Sequence, residues 1–410
     1  MVASWTEQPP HRAWLDEECR RLLGFGARSA AAAGGAAYLD DDGNPDPDRP
    51  VHTWITCRMV HVYGLGRLMG LPGCTATAEA ALRGLTGRLR DDELGGWHHA
   101  VDPDGSPDRD AGKSCYDHAF VMLAASTAAV AGLDGGADLL TEATEVFLDR
   151  FWDDGAGRCV DRWDSGWERA DDYRGLNGSM HAVEAMLAVA DATGSAAWRQ
   201  RAARVAELVV GLAADHDGRL PEHFGPDWTP ALELNRDRPD DPFKPYGATV
   251  GHGLEWSRLL LHLEAALAED ARGTFLPTAE RLFARAVEDG WTVDGAPGFV
   301  YTTDWNGEPV VRDRMHWVVA EAVAAAAALH RRTGRHEYAE HYATWWDYIA
   351  DHVLDTERGS WHHELDTANR PAGSVWPGKP DLYHAVQATL LPRLPLRPTL
   401  AVAVRDGAWA

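Results

Sequence analysis

Six histidines recur along the chain at separations of 57 to 71 residues, each beside a run of small and apolar residues. They are His61, His118, His181, His252, His316 and His384. Histidine can gain and lose a proton near neutral pH, because its unperturbed pKa is about 6.5. A neutral imidazole can take a proton from a carbon next to a carbonyl group and return it to the neighbouring carbon. The repeat therefore indicates proton-transfer chemistry if the fold brings these histidines together.

Other polar residues share the histidine segments. Glu255 follows His252 by three residues, Glu184 follows His181 by three, and Arg58 precedes His61 by three. Residues three apart lie on one face of a helix, so each pair would face the same space. A guanidinium there would stabilise the negative oxygen of an enediolate intermediate. Further candidates near the same predicted helix starts and hairpins are Tyr116, Asp117, Asn177, Glu321, Trp54, Trp97, Trp256, Trp317 and Trp361.

Two other chemistries remain open for such a site. Three of the histidines with Glu255 could bind a metal, although no H-E-x-x-H or facial-triad spacing is present. A carboxylate pair, Asp117 with Glu255 or Glu321, could hydrolyse a glycoside. A lining of histidines is a less natural setting for glycoside hydrolysis than for proton shuttling.

Hydrophobic periodicity predicts which elements carry these residues. The histidine segments are apolar or small nearly all round, which is typical of buried helices. They span 56–68, 114–126, 178–190, 251–263, 314–326 and 381–391. Between them lie amphipathic segments with one charged face, predicted as outer helices at 77–92, 140–154, 196–216, 276–290 and 335–355. The alternation predicts an all-α fold, an (α/α)6 barrel in which six inner helices bring their histidines to one cavity.

Two near copies, GGWHHAVDPDGSP at 95–107 and GSWHHELDTANRP at 359–371, indicate short β-hairpins in the loops. They fall after outer helices and before inner ones, at the expected pocket end. The chain is predicted to be a single domain over 1–410, with its motifs between about 50 and 395.

Charge and cysteine content narrow the class of partner. The chain has 39 Lys+Arg against 63 Asp+Glu, a net charge of −24, which disfavours nucleic acid and anionic membranes. A small neutral ligand is favoured, and the oligomeric state is left open. Five cysteines without a C-x-x-C motif argue against a disulfide framework. No signal-like or membrane-spanning apolar run is present, so we expect a cytoplasmic protein.

Four motifs resemble the N-acylglucosamine 2-epimerase superfamily, most closely its aldose–ketose isomerase branch. They are HTWITCRMVHVYGLG, NGSMHAVEAML, DPFKPYGATVGHGLEWSRLLL and VWPGKPDLYHAVQATLLP, in this order. The resemblance implies an (α/α)6 barrel that needs no metal or other cofactor and acts on free monosaccharides through a cis-enediol.

The resemblance also implies roles for single residues. His384 would move the proton between C1 and C2 of the sugar, and His252 would serve ring opening and act as the second acid/base. Glu255 would bind sugar hydroxyls or orient a histidine, while His181 and Arg58 would bind the oxygens around C1 and C2. Other predicted substrate contacts are Asn177, Tyr116, Trp317, Glu321, Trp54 and His316.

Substrate choice rests on fewer residues. Glu364 in the second hairpin is predicted to lie at the pocket rim, where it would repel a sulfonate and accept hydrogen bonds from a C6 hydroxyl. We therefore expect conversion of D-mannose to D-fructose rather than isomerisation of sulfoquinovose, although Lys379 and Lys244 could serve the sulfonated sugar. Sugar 2-epimerisation remains an alternative. A non-enzymatic scaffold or carbohydrate-binding protein, with the histidines as buried helix caps, is a further one.

Overall fold

Helices form most of the chain in the computed structural model, which describes residues 4–267 and 274–409. The predicted domain of 1–410 therefore includes a few residues outside the described part. The inner helices are α2 (Thr53–Leu68), α4 (Cys115–Val130), α6 (Leu176–Thr193), α8 (Val250–Ala266), α10 (His316–Thr333) and α12 (Tyr383–Leu390). The outer helices are α1 (Pro9–Gly26), α3 (Cys74–Leu85), α5 (Gly136–Arg150), α7 (Ala196–Asp215), α9 (Leu276–Gly290) and α11 (His336–Tyr348).

Contacts between neighbouring inner helices close a ring. Each inner helix packs against the next one along the chain, and α12 packs against α2. Each also packs against one outer helix: α3, α5, α7, α9 and α11 follow their inner partners in sequence. The double ring is an (α/α)6 barrel, as the alternation of segments predicts.

The burial of each helix follows its composition. Every residue of α10 from Val318 to Leu329 is buried, because alanine and valine allow close packing on all sides. In α9 burial is confined mainly to one stripe, which includes Ala279, Leu282, Phe283 and Ala286. This i, i+3, i+4, i+7 pattern buries one face and leaves the other in water.

The sixth outer helix lies at the opposite end of the chain from its inner partner. Helix α1 packs on α12, and the amide of Lys379 donates to the carbonyl of Leu39, which joins the two chain ends. Buried Glu18 of α1 accepts a hydrogen bond from the indole of Trp361 at 2.7 Å. The hydrophobic periodicity predicts five outer helices, and this helix is not among them. The ring is closed by the N-terminal helix.

Pairs of two-residue antiparallel strands tie each hairpin to the start of an inner helix. These pairs are β1 (Val51–His52) with β2 (Ala100–Val101), β3 (Lys113–Ser114) with β6 (Arg162–Trp163), β7 (Arg174–Gly175) with β8 (His223–Phe224), β9 (Ala248–Thr249) with β10 (Thr302–Thr303), and β11 (Arg314–Met315) with β12 (Glu364–Leu365). A further pair, β4 (Trp152–Asp153) with β5 (Arg158–Cys159), lies within one loop.

One residue in each of these five hairpins has the same role, and we call it the anchor residue. Its carbonyl accepts a hydrogen bond of 2.7 to 3.1 Å from the first amide of an inner helix. The anchor residues are His99, Asp161, Glu222, Tyr301 and His363. Because the first amides of a helix lack partners within it, this bond fixes each hairpin to the ring.

The last helix, α13 (Leu400–Arg405), packs on α2, α4 and α6 near their C-terminal ends. None of the described helices is long and apolar enough to cross a membrane. All five cysteines are buried and unpaired.

Candidate active site

A cavity of about 710 Å³, including its open mouth, lies at the N-terminal ends of the inner helices. It brings together ten of the eleven side chains predicted for the site: Trp54, Arg58, Tyr116, Asn177, His181, His252, Glu255, His316, Trp317 and His384. They come from all six inner helices. The helix starts also contribute partial positive charge, which favours negative charge on a ligand there.

His384 forms a dyad with a carboxylate. Its Nδ1 lies 3.2 Å from Oε1 of Glu321, whose Oε2 accepts a hydrogen bond of 2.8 Å from Nε of Arg258. Burial, and secondarily the positive charge of Arg58, holds the pKa of His384 well below its usual value. The imidazole is therefore neutral at neutral pH, as a base must be. Glu321 does not line the cavity, so its predicted contact with the substrate is replaced by a contact with His384.

His252 forms a second dyad with a residue that the sequence analysis missed. Its Nδ1 lies 2.9 Å from Oε1 of Glu222, which is itself buried. The ring of Trp317 packs against both catalytic candidates, with centroids 5.2 Å from His252 and 5.7 Å from His384. The two imidazoles therefore face one space across an indole.

Arg58 is held rigidly at the cavity wall. Its guanidinium donates to Asp381 and to the hydroxyl of Tyr116, both at 3.0 Å, and lies 4.8 Å from the ring of Trp54. Although burial acts in the opposite direction, Tyr116 and Asp381 raise the pKa of Arg58 above its usual value. The side chain is a permanent positive charge placed to stabilise a negative oxygen.

His181 and Glu255 lie at the cavity floor, and Glu184, which does not line the cavity, is buried beside His181. Nδ1 of His181 has no hydrogen-bond partner and lies 3.6 Å from Glu184 and 3.9 Å from Glu255. Burial lowers the pKa of His181 to about 4. Burial, and secondarily Glu321, raises the pKa of Glu255 well above its usual value, so Glu255 can carry a proton.

These three side chains could also hold a metal ion. Within residues 4–267 and 274–409 they are the cluster whose candidate ligand atoms all lie within 4.8 Å of one another. Both carboxylates already have protein donors: Glu184 accepts from the hydroxyl of Tyr383, and Glu255 is 3.5 Å from Arg258. A cation would therefore compete with a guanidinium and a phenol.

Two aromatic side chains form a roof over the cavity. Phe243 and Trp376 come from separate loops, and their ring centroids are 5.4 Å apart. Trp376 also meets Trp54 at 6.2 Å, and Phe243 meets Tyr116 at 6.3 Å. The roof narrows the entrance above the histidines.

The prediction for Glu364 is wrong in its details. The residue does not line the cavity but is buried beside it, where its carboxylate accepts four hydrogen bonds of 2.6 to 2.9 Å. The donors are the amides of Ser374, Val375 and Trp376 and the hydroxyl of Ser374. A carboxylate with four donors is not available to a sugar hydroxyl. It fixes the loop that carries the roof residue Trp376.

Two of the six histidines are also placed elsewhere. His61 is the ninth residue of α2 rather than near its start, and its Nδ1 bonds Thr127 below the cavity floor. His118 bonds the amide of Trp97 and the carbonyl of Ser114 in the core. The expectation of six converging histidines is therefore wrong for these two. For His61 the reason is that an apolar run does not show where its helix begins. His118 does lie in the first turn of α4, but its ring packs against Trp97 and Phe151 rather than facing the cavity.

Other suggested side chains are structural as well. Trp97, Trp256 and Trp361 are fully buried in the core. Asp117 bonds His99 and Ser114 away from the cavity.

The two suggested lysines have partners elsewhere. The ammonium of Lys379 is buried against Asp355 at 2.6 Å, and Lys244 lies over the ring of Tyr173.

The cavity includes residues that the sequence analysis did not name. His363 stacks on His316 with centroids 3.9 Å apart, and Tyr301 lies opposite. Both are anchor residues, as is Glu222. Aligning the hairpins with one another, rather than only the histidine segments, would have identified these positions.

Comparison with known proteins identifies the family of the chain. A family model described as N-acylglucosamine 2-epimerase matches residues 34–388. The chain belongs to this family.

Several relatives are named D-mannose isomerase. A D-mannose isomerase from Thermobifida fusca is 53% identical over 402 residues, 98% of each chain. A D-mannose isomerase from Pseudomonas cannabina pv. alisalensis is 45% identical over 407 residues, 98% of this chain and 97% of its own. A crystal structure of a D-mannose isomerase superposes with a TM-score of 0.85 at 26% identity, covering 93% of this chain and 97% of that one. These relatives confirm the prediction of an isomerase-class enzyme.

Proposed function

We propose that this protein converts D-mannose to D-fructose by proton transfer between two histidines and the open-chain sugar. The observation that carries the proposal is the pair of imidazoles, His384 and His252, that face one cavity with a carboxylate behind each Nδ1. The 53% identity to a protein named D-mannose isomerase supports the choice of sugar.

In the proposed reaction the two histidines take two protons from the sugar and give two protons to it, so the enzyme is unchanged at the end. Neutral His384 takes the proton from C2 while protonated His252 gives its proton to the carbonyl oxygen O1, which forms a cis-enediol. His384 then gives its proton to C1 while His252 takes the proton from the hydroxyl at O2, which becomes the ketone. Both histidines regain their starting states, and hydrogen has moved from C2 to C1.

Residues at the cavity wall stabilise the charge that develops on the sugar oxygens. Arg58 is fixed by Asp381 and Tyr116, so its guanidinium needs no reorganisation when an oxygen becomes negative. His181 and Glu255 on the floor bind the neighbouring hydroxyls, and Glu255 donates when it carries a proton. Asn177 and Tyr116 complete the polar lining, while Trp54, Trp317 and His316 provide flat surfaces for the sugar.

The lining favours a neutral free monosaccharide over a sulfonated one. Arg58 is the one Arg or Lys among the described cavity residues, and Asp381 already balances its charge. Lys379 is engaged with buried Asp355. A sulfonate would therefore enter without a free cation. The roof of Phe243 and Trp376 leaves the space above the histidines best suited to one sugar ring.

A panel of free sugars tests the proposal. Purified protein is incubated with mannose, lyxose, glucose, sulfoquinovose and cellobiose, with and without chelator, and the products are separated by chromatography. We expect fructose from mannose at a rate that the chelator does not change. Glucose from mannose with little fructose would instead indicate 2-epimerisation, and no turnover of any sugar would indicate a binding protein.

A further inference from the structure

The two imidazole–carboxylate dyads in the cavity are chemically unequal. Glu321, behind His384, shares its charge with Arg258 through a hydrogen bond of 2.8 Å. Glu222, behind His252, has no Arg or Lys partner among the salt bridges of the described residues. A carboxylate that is already neutralised adds little to the proton affinity of its imidazole, whereas a bare one favours the imidazolium.

Glu222 is also fixed in position by its backbone and by its neighbours. It is the anchor residue whose carbonyl accepts the first amide of α6 at 3.0 Å. The adjacent His223 is held on both sides: its Nε2 donates to the carbonyl of Pro245 at 2.8 Å, and its Nδ1 lies 2.8 Å from the hydroxyl of Tyr173. The backbone of Glu222 is therefore fixed to helix α6, while its carboxylate contacts His252 of the next inner helix, α8.

We propose that Glu222 is a positioning residue that directs Nδ1–H of His252 toward its carboxylate and Nε2 toward the sugar, and that it balances the charge of protonated His252. This inference rests on the proposed function for its catalytic consequence. With Nδ1 engaged, Nε2 is the atom that gives a proton to O1 and takes one from O2. His252, whose partner Glu222 has no cationic neighbour among the salt bridges in the described part of the chain, acts as the acid. His384, whose partner Glu321 is neutralised by Arg258, acts as the base.

Other titratable groups face this pair. Glu255 lies one turn further along α8, and His181 faces His252 from α6. The groups that surround Glu222 or its immediate neighbours are Tyr173, Tyr301, His223, Lys244, Asp161 and Asp241. Burial lowers the pKa of His181 and raises the pKa of Glu255, so neither adds a fixed positive charge that would replace the role of His252.

The test compares Glu222→Gln with Glu222→Asp. The amide keeps the shape and an acceptor oxygen but removes the charge, so protonated His252 is less stable. We expect kcat on mannose to fall about 10- to 100-fold with KM changed less than about threefold. The basic limb of the pH–rate profile should move to lower pH, because the acid loses its proton more readily. Glu222→Asp keeps the charge and should retain the basic limb near its wild-type position.

A matched control is Glu233→Gln, which removes an exposed carboxylate paired with Arg236. It should leave kcat and both limbs unchanged. Thermal melting of each variant shows whether a lower rate reflects unfolding. A folded Glu222→Gln protein with the wild-type kcat and basic limb would overturn the inference.

A spectroscopic readout separates this inference from the proposed function. In protein labelled with ¹⁵N-histidine, the signals of His252 are assigned by their loss in His252→Gln. At high pH we expect the neutral tautomer with hydrogen on Nδ1, changing toward the other tautomer in Glu222→Gln. Hydrogen on Nε2 in the wild-type protein would overturn the inference even if mannose is isomerised. Absence of turnover with the expected tautomer would instead refute the proposed function alone.

Discussion

The cavity histidines differ in their partners: Nδ1 of His384 and Nδ1 of His252 each face a carboxylate, whereas Nδ1 of His181 has no hydrogen-bond partner among the described residues. Burial, together with the positive charge of Arg58, lowers the pKa of His181 and of His316 to about 4, which keeps both neutral in the cavity. His384 has the same tendency, and Arg58 strengthens it. A base must be neutral before it can accept a proton from carbon, so the burial of His384 serves the reaction.

The role of His384 as the base predicts a large effect of its replacement. His384→Asn should lower kcat about 100-fold or more with little change in thermal melting, because the amide fills much of the same space but cannot carry the proton. Steady-state kinetics on mannose with a melting curve would check this. A variant that unfolds, or a folded variant with near wild-type kcat, would argue that the histidine is a structural cap.

The pH dependence of the rate follows from the same residue. Because the pKa of His384 is held well below 6.5, the acid limb of kcat/KM should lie below pH 6.5. The rate should fall only when pH drops far enough to protonate this base. A profile of kcat/KM between pH 4 and 9 measures the limb. An acid limb at or above pH 7 would contradict the assignment.

Among the secondary-structure elements, the sequence predicts some helix boundaries correctly and others not at all. The outer helix predicted at 276–290 coincides with α9, because its apolar stripe is regular and ends at a glycine. The start of α2 lies eight residues before His61, because the buried run continues in both directions and shows no boundary. Glu222 and Glu364 could not be assigned because each contacts residues of another loop or helix, and spacing along the chain does not reveal such contacts.

The hairpin carrying Glu364 is expected to control which sugars enter. Glu364→Gln replaces one of the acceptor oxygens with an amide NH2 group, which donates instead of accepting. The loop at 374–376 therefore loses two of its hydrogen bonds and Trp376 is held less firmly. KM for mannose should rise several-fold, and turnover of cellobiose should appear or increase. The control is Asp366→Asn, at a half-exposed position of the same hairpin whose carboxylate pairs with Arg370. Unchanged KM and continued exclusion of cellobiose would show that this loop does not select the substrate.

At the scale of the whole molecule, ring closure includes a contact between helix α1 and the hairpin that precedes α12. Glu18 of α1 accepts from the indole of Trp361 and pairs with Arg21. Glu18→Ala should destabilise the protein by about 1–3 kcal/mol, because a buried indole N–H loses its acceptor. Chemical denaturation measures the change, and kcat should be preserved below the melting transition. Unchanged stability would mean that the closing contact contributes little.

The neutral buried histidines also link the stability of the whole barrel to pH. Seven of the described histidines have their pKa lowered to about 4, chiefly by burial: His11, His52, His61, His118, His181, His262 and His316. The unfolded chain binds protons at these residues as pH falls below about 6.5, while the folded protein does not. The free energy of unfolding should therefore be highest above pH 6.5 and decrease steeply toward pH 4. A series of denaturation curves across this range would show it, and stability that is constant over it would contradict the buried neutral state.

In the proposed mechanism, a histidine transfers hydrogen from C2 to C1 of the sugar as a proton. Its most direct test is conversion of mannose in heavy water by chelator-treated protein, followed by NMR of the fructose. We predict that chelator-treated protein has the same rate as untreated protein in heavy water. We also predict deuterium at C1 of the fructose, because the proton on the imidazole exchanges with solvent while the sugar is an enediol. Fructose without deuterium, formed only when a divalent ion is restored, would contradict the account and indicate a metal-assisted hydride transfer.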